Sequence, residues 1–174
     1  MGQKRDTIVQ FSGLKSGRYT YDFTLGGDFF DEYKNEEIAG GEVRFDVTLD
    51  KKERTLLFNF HFEGTLVTMC DRCLGQMTVP VKGDDTLCVK FSDEEQSDNE
   101  DVAILPENAS EIDLAQYMYE YVAVSLPMQH VHAEGECDPS VTSYITDSEQ
   151  PDSGDETDPR WDALLKIKEE NKNN

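Results

Sequence analysis

In the first half of the chain, apolar and polar residues alternate with a period of two, the signature of strands that bury one face and wet the other. Tyr19, Tyr21 and Phe23 alternate with Thr20, Asp22 and Thr24. Val43, Phe45, Val47 and Leu49 alternate with Arg44, Asp46, Thr48 and Asp50, and Leu56, Phe58, Phe60 and Phe62 with Leu57, Asn59, His61 and Glu63. Met77, Val79 and Val81 repeat the pattern, as do Leu87, Val89 and Phe91. Polar turns such as Asp50-Lys51-Lys52-Glu53 join the runs. The expectation is an α+β fold: an antiparallel sheet curled into a partial barrel, with a packed helix, an acidic loop and tether, and a short C-terminal helix.

Where the period changes, helices are predicted. Gly26-Gly27-Asp28 precedes Phe29, Phe30 and Tyr33, which reads as a short helix capped by Asp28. From about 113 to 125, Leu114, Tyr117, Met118, Tyr121 and Val122 share one helical face, with Asp113 and Gln116 spaced as a capping box. A Tyr and Met stripe of this kind reads as core rather than as a groove for a partner. Leu126-Pro127 ends that helix, because proline disfavours a helical residue before it. Residues 92–110 read as an acidic loop, 127–137 as an arm carrying Cys and His, and 141–158 as a flexible acidic linker. Asp158-Pro159 then opens a short helix over 159–174, whose apolar side is Trp161, Leu164 and Leu165. One domain of residues 1–140, with the β-rich part at 1–91, accounts for the folded portion.

Charge divides the chain. The net charge is −21, yet residues 1–90 carry 15 acids against 12 bases, while residues 91–159 carry 19 acids and no Lys or Arg. The second half would repel a phosphate backbone and suits a basic protein partner, or simply a solvated surface. No apolar run approaches the about 20 residues needed to span a bilayer. Met1 to Asp6 lacks an apolar run behind it, so a cytoplasmic location is expected, with reduced thiols or metal ligands in place of disulfides.

The chemistry-bearing residues are split. Cys70 and Cys73 fall in a tight turn between two strands, where amide N–H groups can face thiolates and Gly75 relaxes the backbone. His132 and Cys137 follow far downstream. Three sulfurs and an imidazole suit zinc in a closed, structural site better than magnesium or calcium. His130 competes with His132 for the imidazole position. Cys88 sits opposite in phase to Leu87 and Val89 and reads as a lone strand cysteine, and His61 lies on the polar face of its strand. A redox Cys-x-x-Cys would stand at a helix N-terminus, and this pair does not. No phosphate-cradling glycine loop and no nucleophile elbow is present, so neither an enzyme nor a small-molecule substrate is expected.

Cys70-Asp71-Arg72-Cys73-Leu74 before an alternating strand, Asp113-Leu114 opening a helix, Ser125-Leu126-Pro127, the step from His132 to Cys137, and Asp158-Pro159-Arg160-Trp161 with Leu164 together resemble the YceD family of bacterial and plastid proteins. The resemblance covers about residues 43–137 and 158–168. His130 departs from it, standing where the family often has a second proline. The resemblance implies a non-enzymatic factor in large ribosomal subunit biogenesis, needed for accumulation of large-subunit ribosomal RNA. Its partner would be that RNA or a basic ribosomal protein. Candidate contacts are Arg72, at the knuckle, with Arg44, Arg54, Lys51 and Lys52. The alternative is a protein-only adaptor built on a zinc knuckle and docking through Trp161.

Overall fold

The alternating runs become strands, with those around Val79 and Val89 merged into a single one. The computed structural model describes residues 7–35, 37–92 and 102–148. In chain order the elements are β1 (Ile8–Gln10), β2 (Gly17–Leu25), α1 (Gly27–Tyr33), β3 (Gly40–Lys51), β4 (Thr55–Met69), β5 (Gln76–Phe91), β6 (Val102–Leu105), β7 (Glu111–Asp113), α2 (Ala115–Ser125) and α3 (Pro139–Ser148). The chain divides into two compact units, residues 1–136 and 137–174. The first is an α+β unit. In the second, Asp138 precedes α3 and its carboxylate accepts from the Ser140 amide at 2.8 Å, with Pro139 as the first helical residue.

A five-stranded sheet runs in the order β2-β3-β4-β5-β6 and a two-stranded one joins β1 to β7. All pairs are antiparallel except β5–β6. The register puts Phe45 beside Phe62, Val47 beside Phe60 and Leu49 beside Phe58, all on one buried face. Each such side chain contributes about 1.5–3 kcal/mol on leaving water. Helix α2 packs over β5 and α1 over β3. Tyr121 meets Phe60 edge-on at 5.1 Å, and Tyr33 of α1 stacks on Tyr119 of α2 at 3.9 Å. Leu114, Met118 and Val122 are buried, so the stripe on α2 is core.

Among the described residues no pairing joins β2 to β6, so the five mostly antiparallel strands form no closed barrel. Some expectations are corrected. The cap of α1 is Gly26, and Asp28 lies inside the first turn. The Asp113 carboxylate does accept from the Ala115 amide at 2.9 Å, but Gln116 bonds to Glu120 and forms no capping box. The span read as the 92–110 loop contains β6, and the span read as the acidic linker begins inside α3. Residues 93–101 and 149–174, with the helix expected at 159–174 and Trp161, lie outside the described residues.

Close approach of strands explains one glycine directly. A Cβ at Gly64 would sit 2.6 Å from the Val43 Cα, and nearer still to the Glu42 carbonyl oxygen. Both obstacles are backbone in the middle of the β3–β4 ladder, so they cannot yield without loosening it. Gly64→Ala is therefore expected to lower unfolding free energy by about 1–3 kcal/mol in urea titration. Gly13→Ala, with nothing within 4 Å of the new atom, should stay within about 0.5 kcal/mol of the parent.

Candidate metal centre

The β4–β5 hairpin is the longest pairing in the molecule, running from Thr55↔Lys90 to Met69↔Gln76. Its tip is Cys70 to Gly75. The Cys70 amide donates to the Gly75 carbonyl at 2.8 Å and the Leu74 amide to the Cys70 carbonyl at 2.9 Å, closing the loop. The residue in the left-handed region is Leu74, with φ of 58°, rather than Gly75. A Cβ at Gly75 would lie 3.4 Å from Cys73 Sγ and 3.5 Å from the His132 ring, in ordinary contact with both.

The arm after α2 runs beside this tip. The Asp71 amide donates to the His130 carbonyl at 3.0 Å, and the His130 amide donates back to the Asp71 carboxylate at 2.8 Å. Two residues on, the His132 amide donates to Cys70 Sγ at 3.4 Å, the same sulfur that accepts from the Arg72 amide. Gly135, with φ of 85°, and the Glu136 amide bonded to the Ala133 carbonyl form the turn before Cys137. The ligand atoms of Cys70, Cys73, His132 and Cys137 all lie within 4.8 Å of one another, and the three cysteines are buried. The knuckle and the late imidazole–thiol pair thus meet, as the spacing predicted.

The donors fit a tetrahedral ion. His132 Nε2 faces the Gln76 carbonyl at 3.3 Å, an oxygen that can only accept, so Nε2 carries the proton. That turns Nδ1 towards Cys73 Sγ, 3.4 Å away. Bond lengths of about 2.3 Å to sulfur and 2.0–2.1 Å to nitrogen would place the two donors of a tetrahedral site roughly 3.6 Å apart. The carbonyl behind the ring is the outer partner that metal-binding histidines ordinarily have. Burial pushes the Cys70 thiol up, but amides of His132, Cys73 and Arg72 and the Cys73 side chain outweigh it and bring the thiol down to about 6. The Cys73 and Cys70 side chains raise His132.

His130 stands apart from the cluster: its Nδ1 is 3.2 Å from the Pro127 carbonyl and its Nε2 is 3.6 Å from Asp71. Cys88 is half-buried on the sheet's opposite face, and His61 is exposed beside Asp84 at 2.8 Å. Of the basic candidates, Arg44 approaches Asp46 and Asp22 at 3.5 and 3.8 Å, and Arg54 approaches Glu107 at 4.0 Å. Lys51 donates to the Phe11 carbonyl at 2.6 Å and lies over its ring. Lys52 is exposed in the β3–β4 turn. Arg72 is exposed at the knuckle and has no carboxylate partner among the described residues. The reading from sequence missed the Asp71–His130 strap and the exposure of two large apolar side chains, Leu74 and Met128, at 72% and 105%. Asp71 offered no signal beyond lying between the two cysteines.

The family described as Large ribosomal RNA subunit accumulation protein YceD matches residues 58–168, from near the start of β4 through the knuckle, α2 and the arm. The chain belongs to the YceD family. No curated protein and no solved structure matches it. The match takes in all four clustered donors, and the family's description concerns ribosomal RNA accumulation rather than a reaction.

The geometry distinguishes the two rival histidines. His132→Ala should weaken retention of a divalent ion by more than about 100-fold, the upper range for loss of an outer-sphere partner. His130→Ala should keep it within a few-fold. Competition against a chromophoric chelator reads both, and equal losses would remove His132 from the ligand set.

Proposed function

We propose that this YceD-family chain supports accumulation of large-subunit ribosomal RNA by binding, without covalent chemistry, and that its knuckle is the contact. The observation that carries the reading is the exposed Arg72 on a loop closed by its own backbone and by the arm, within a family described by that RNA. A guanidinium on a rigid turn meets a phosphate at a fixed angle, with little side-chain freedom left to lose. Arg44, Arg54 and Lys51 are already engaged by carboxylates or a carbonyl, so they are the weaker candidates. The acidic stretch beyond residue 90 keeps other phosphate chains away and leaves the knuckle face as the approach. Lowered levels of the protein should reduce large-subunit RNA relative to small-subunit RNA, and an unchanged ratio would overturn the reading. Arg72→Ala should weaken binding of large-subunit RNA and flatten its salt dependence by about one unit of slope.

The ion that suits the donor set is zinc, held by Cys70, Cys73, His132 and Cys137 as a closed structural site. Zinc would supply a fixed positive charge that holds the thiolates together, and this chain's residues would do the rest. Asp71 and His130 align the arm, Gln76 orients the imidazole, and Arg72 projects outward. Protein prepared without chelator should carry about one equivalent of zinc per chain. Cys70→Ser should abolish it, as elemental analysis would show.

A further inference from the structure

The five-stranded sheet ends at β2, whose outward edge has no backbone partner among the described residues. Natural edge strands are ordinarily blunted by short length, charged side chains (lysine above all), proline or a bulge, because an open ladder pairs with any strand offered. Of these β2 carries only the charges of Arg18 and Asp22, which are opposite in sign. It is nine residues long, contains no lysine or proline, and keeps unbroken register with β3 from Gly17↔Lys51 to Leu25↔Val43. The opposite edge, β6, has only four residues.

Side chains on β2 indicate what the edge would accept. On the inner face Tyr19, Tyr21 and Phe23 are half-buried, although their neighbours Leu49, Val47 and Phe45 on β3 are fully buried. The apolar layer is therefore cut off at this edge. On the outer face Arg18 and Asp22 are 71% and 77% exposed. The central segment reads Arg18-Tyr19-Thr20-Tyr21-Asp22, which is self-complementary about Thr20.

We infer that β2 pairs antiparallel with β2 of a second copy of this chain, about a two-fold axis through Thr20, to make a symmetric dimer. In that register Arg18 faces the other copy's Asp22, twice. Tyr19 faces Tyr21, twice, and Thr20 faces itself. Inner face meets inner face because the paired positions share parity, so the truncated aromatic layer continues across the axis. Arg18 already holds the Asp50 carboxylate of β3 with two bonds of 3.0 Å, so in the dimer its guanidinium would sit between that carboxylate and the other copy's Asp22. Shifting the axis to Tyr21 would set Arg18 against Thr24 and Asp22 against Thr20, losing both ion pairs. An isologous contact of this kind closes on itself and stops at two copies. The inference is independent of the ribosomal reading and of the metal, since β2 lies in neither.

Sedimentation equilibrium on the full chain should give a concentration-dependent monomer–dimer equilibrium. Arg18→Glu and Asp22→Arg each turn both cross-axis pairs into like charges, and each should raise the dissociation constant by roughly tenfold or more. Mixed in equal amounts, the two variants should form a heterodimer, because each then offers the charge the other lacks. That recovery separates pairing from a folding defect. Thr20→Cys should also give a covalent dimer under mild oxidation faster than Thr24→Cys, above the background of the unmutated chain. A chain that stays monomeric would overturn the inference, and so would an Arg18→Glu variant that dimerises like the parent. Failure of the mixed variants to associate, or equal crosslinking at positions 20 and 24, would overturn it as well.

Discussion

The sulfur of Cys70 accepts amide hydrogen bonds from residues 2 and 62 positions further along, and the knuckle depends on that convergence. A neutral thiol is a poor acceptor and a buried thiolate is costly, so amides from both segments are needed to hold negative charge there. Once Cys70 is biased towards the thiolate, the neighbouring imidazole is drawn towards its charged form, and a bound cation would take the place of the proton on Nδ1 beside Cys73. Bringing the sulfur of Cys137 to the same place adds repulsion that a cation would remove. The hydrogen bonds and the donor set therefore favour the same occupant.

The hairpin explains why such a cluster can stand at a sheet's end. β4 and β5 run side by side up to Met69↔Gln76, the pair adjoining the two ends of the loop, so the cysteines inherit the stiffness of the ladder. The arm gains its position differently, through one backbone bond from Asp71 to His130 and one from the His130 amide back to the Asp71 carboxylate. Arg72 is thereby placed on a support fixed from both sides. The outer face of the same sheet carries charge of both signs in adjacent rows, including Arg18 with Asp50 and Arg44 with Asp46. Those pairs are exposed and weak, and they leave that face close to neutral locally.

Long elements were legible in the sequence because their burial is one-sided and repeated. The alternations in β2, β3, β4 and β5 each extend over enough residues to declare a face, and the Leu114 to Val122 stripe did the same for α2. β1, β6 and β7 were invisible for the opposite reason, being three or four residues long and defined by partners remote in sequence. β6 also pairs in parallel, which no local turn announces. At the site, residue types and spacing singled out Cys70, Cys73, His132 and Cys137, which the fold brings together. The choice between His130 and His132 was not legible, because it turns on which ring faces the Gln76 carbonyl and the Cys73 sulfur. The left-handed backbone at Leu74 was equally hidden, as glycine next door was the chemically obvious candidate.

Whether the ion would be needed for folding follows from where the apolar surface lies. Small domains that fold only with metal lack a core of their own. Here Phe45, Phe58, Phe60 and Phe62 are buried at 0 to 2% exposure under α1 and α2, well away from the sulfurs in the register of the hairpin. The sheet's stability resides in that layer. What the cluster controls is local, namely the loop bearing Arg72 and the arm strapped to it by Asp71. An ion bound at the cluster would thus stiffen the loop and the arm, while the scaffold beneath them would stay folded without it.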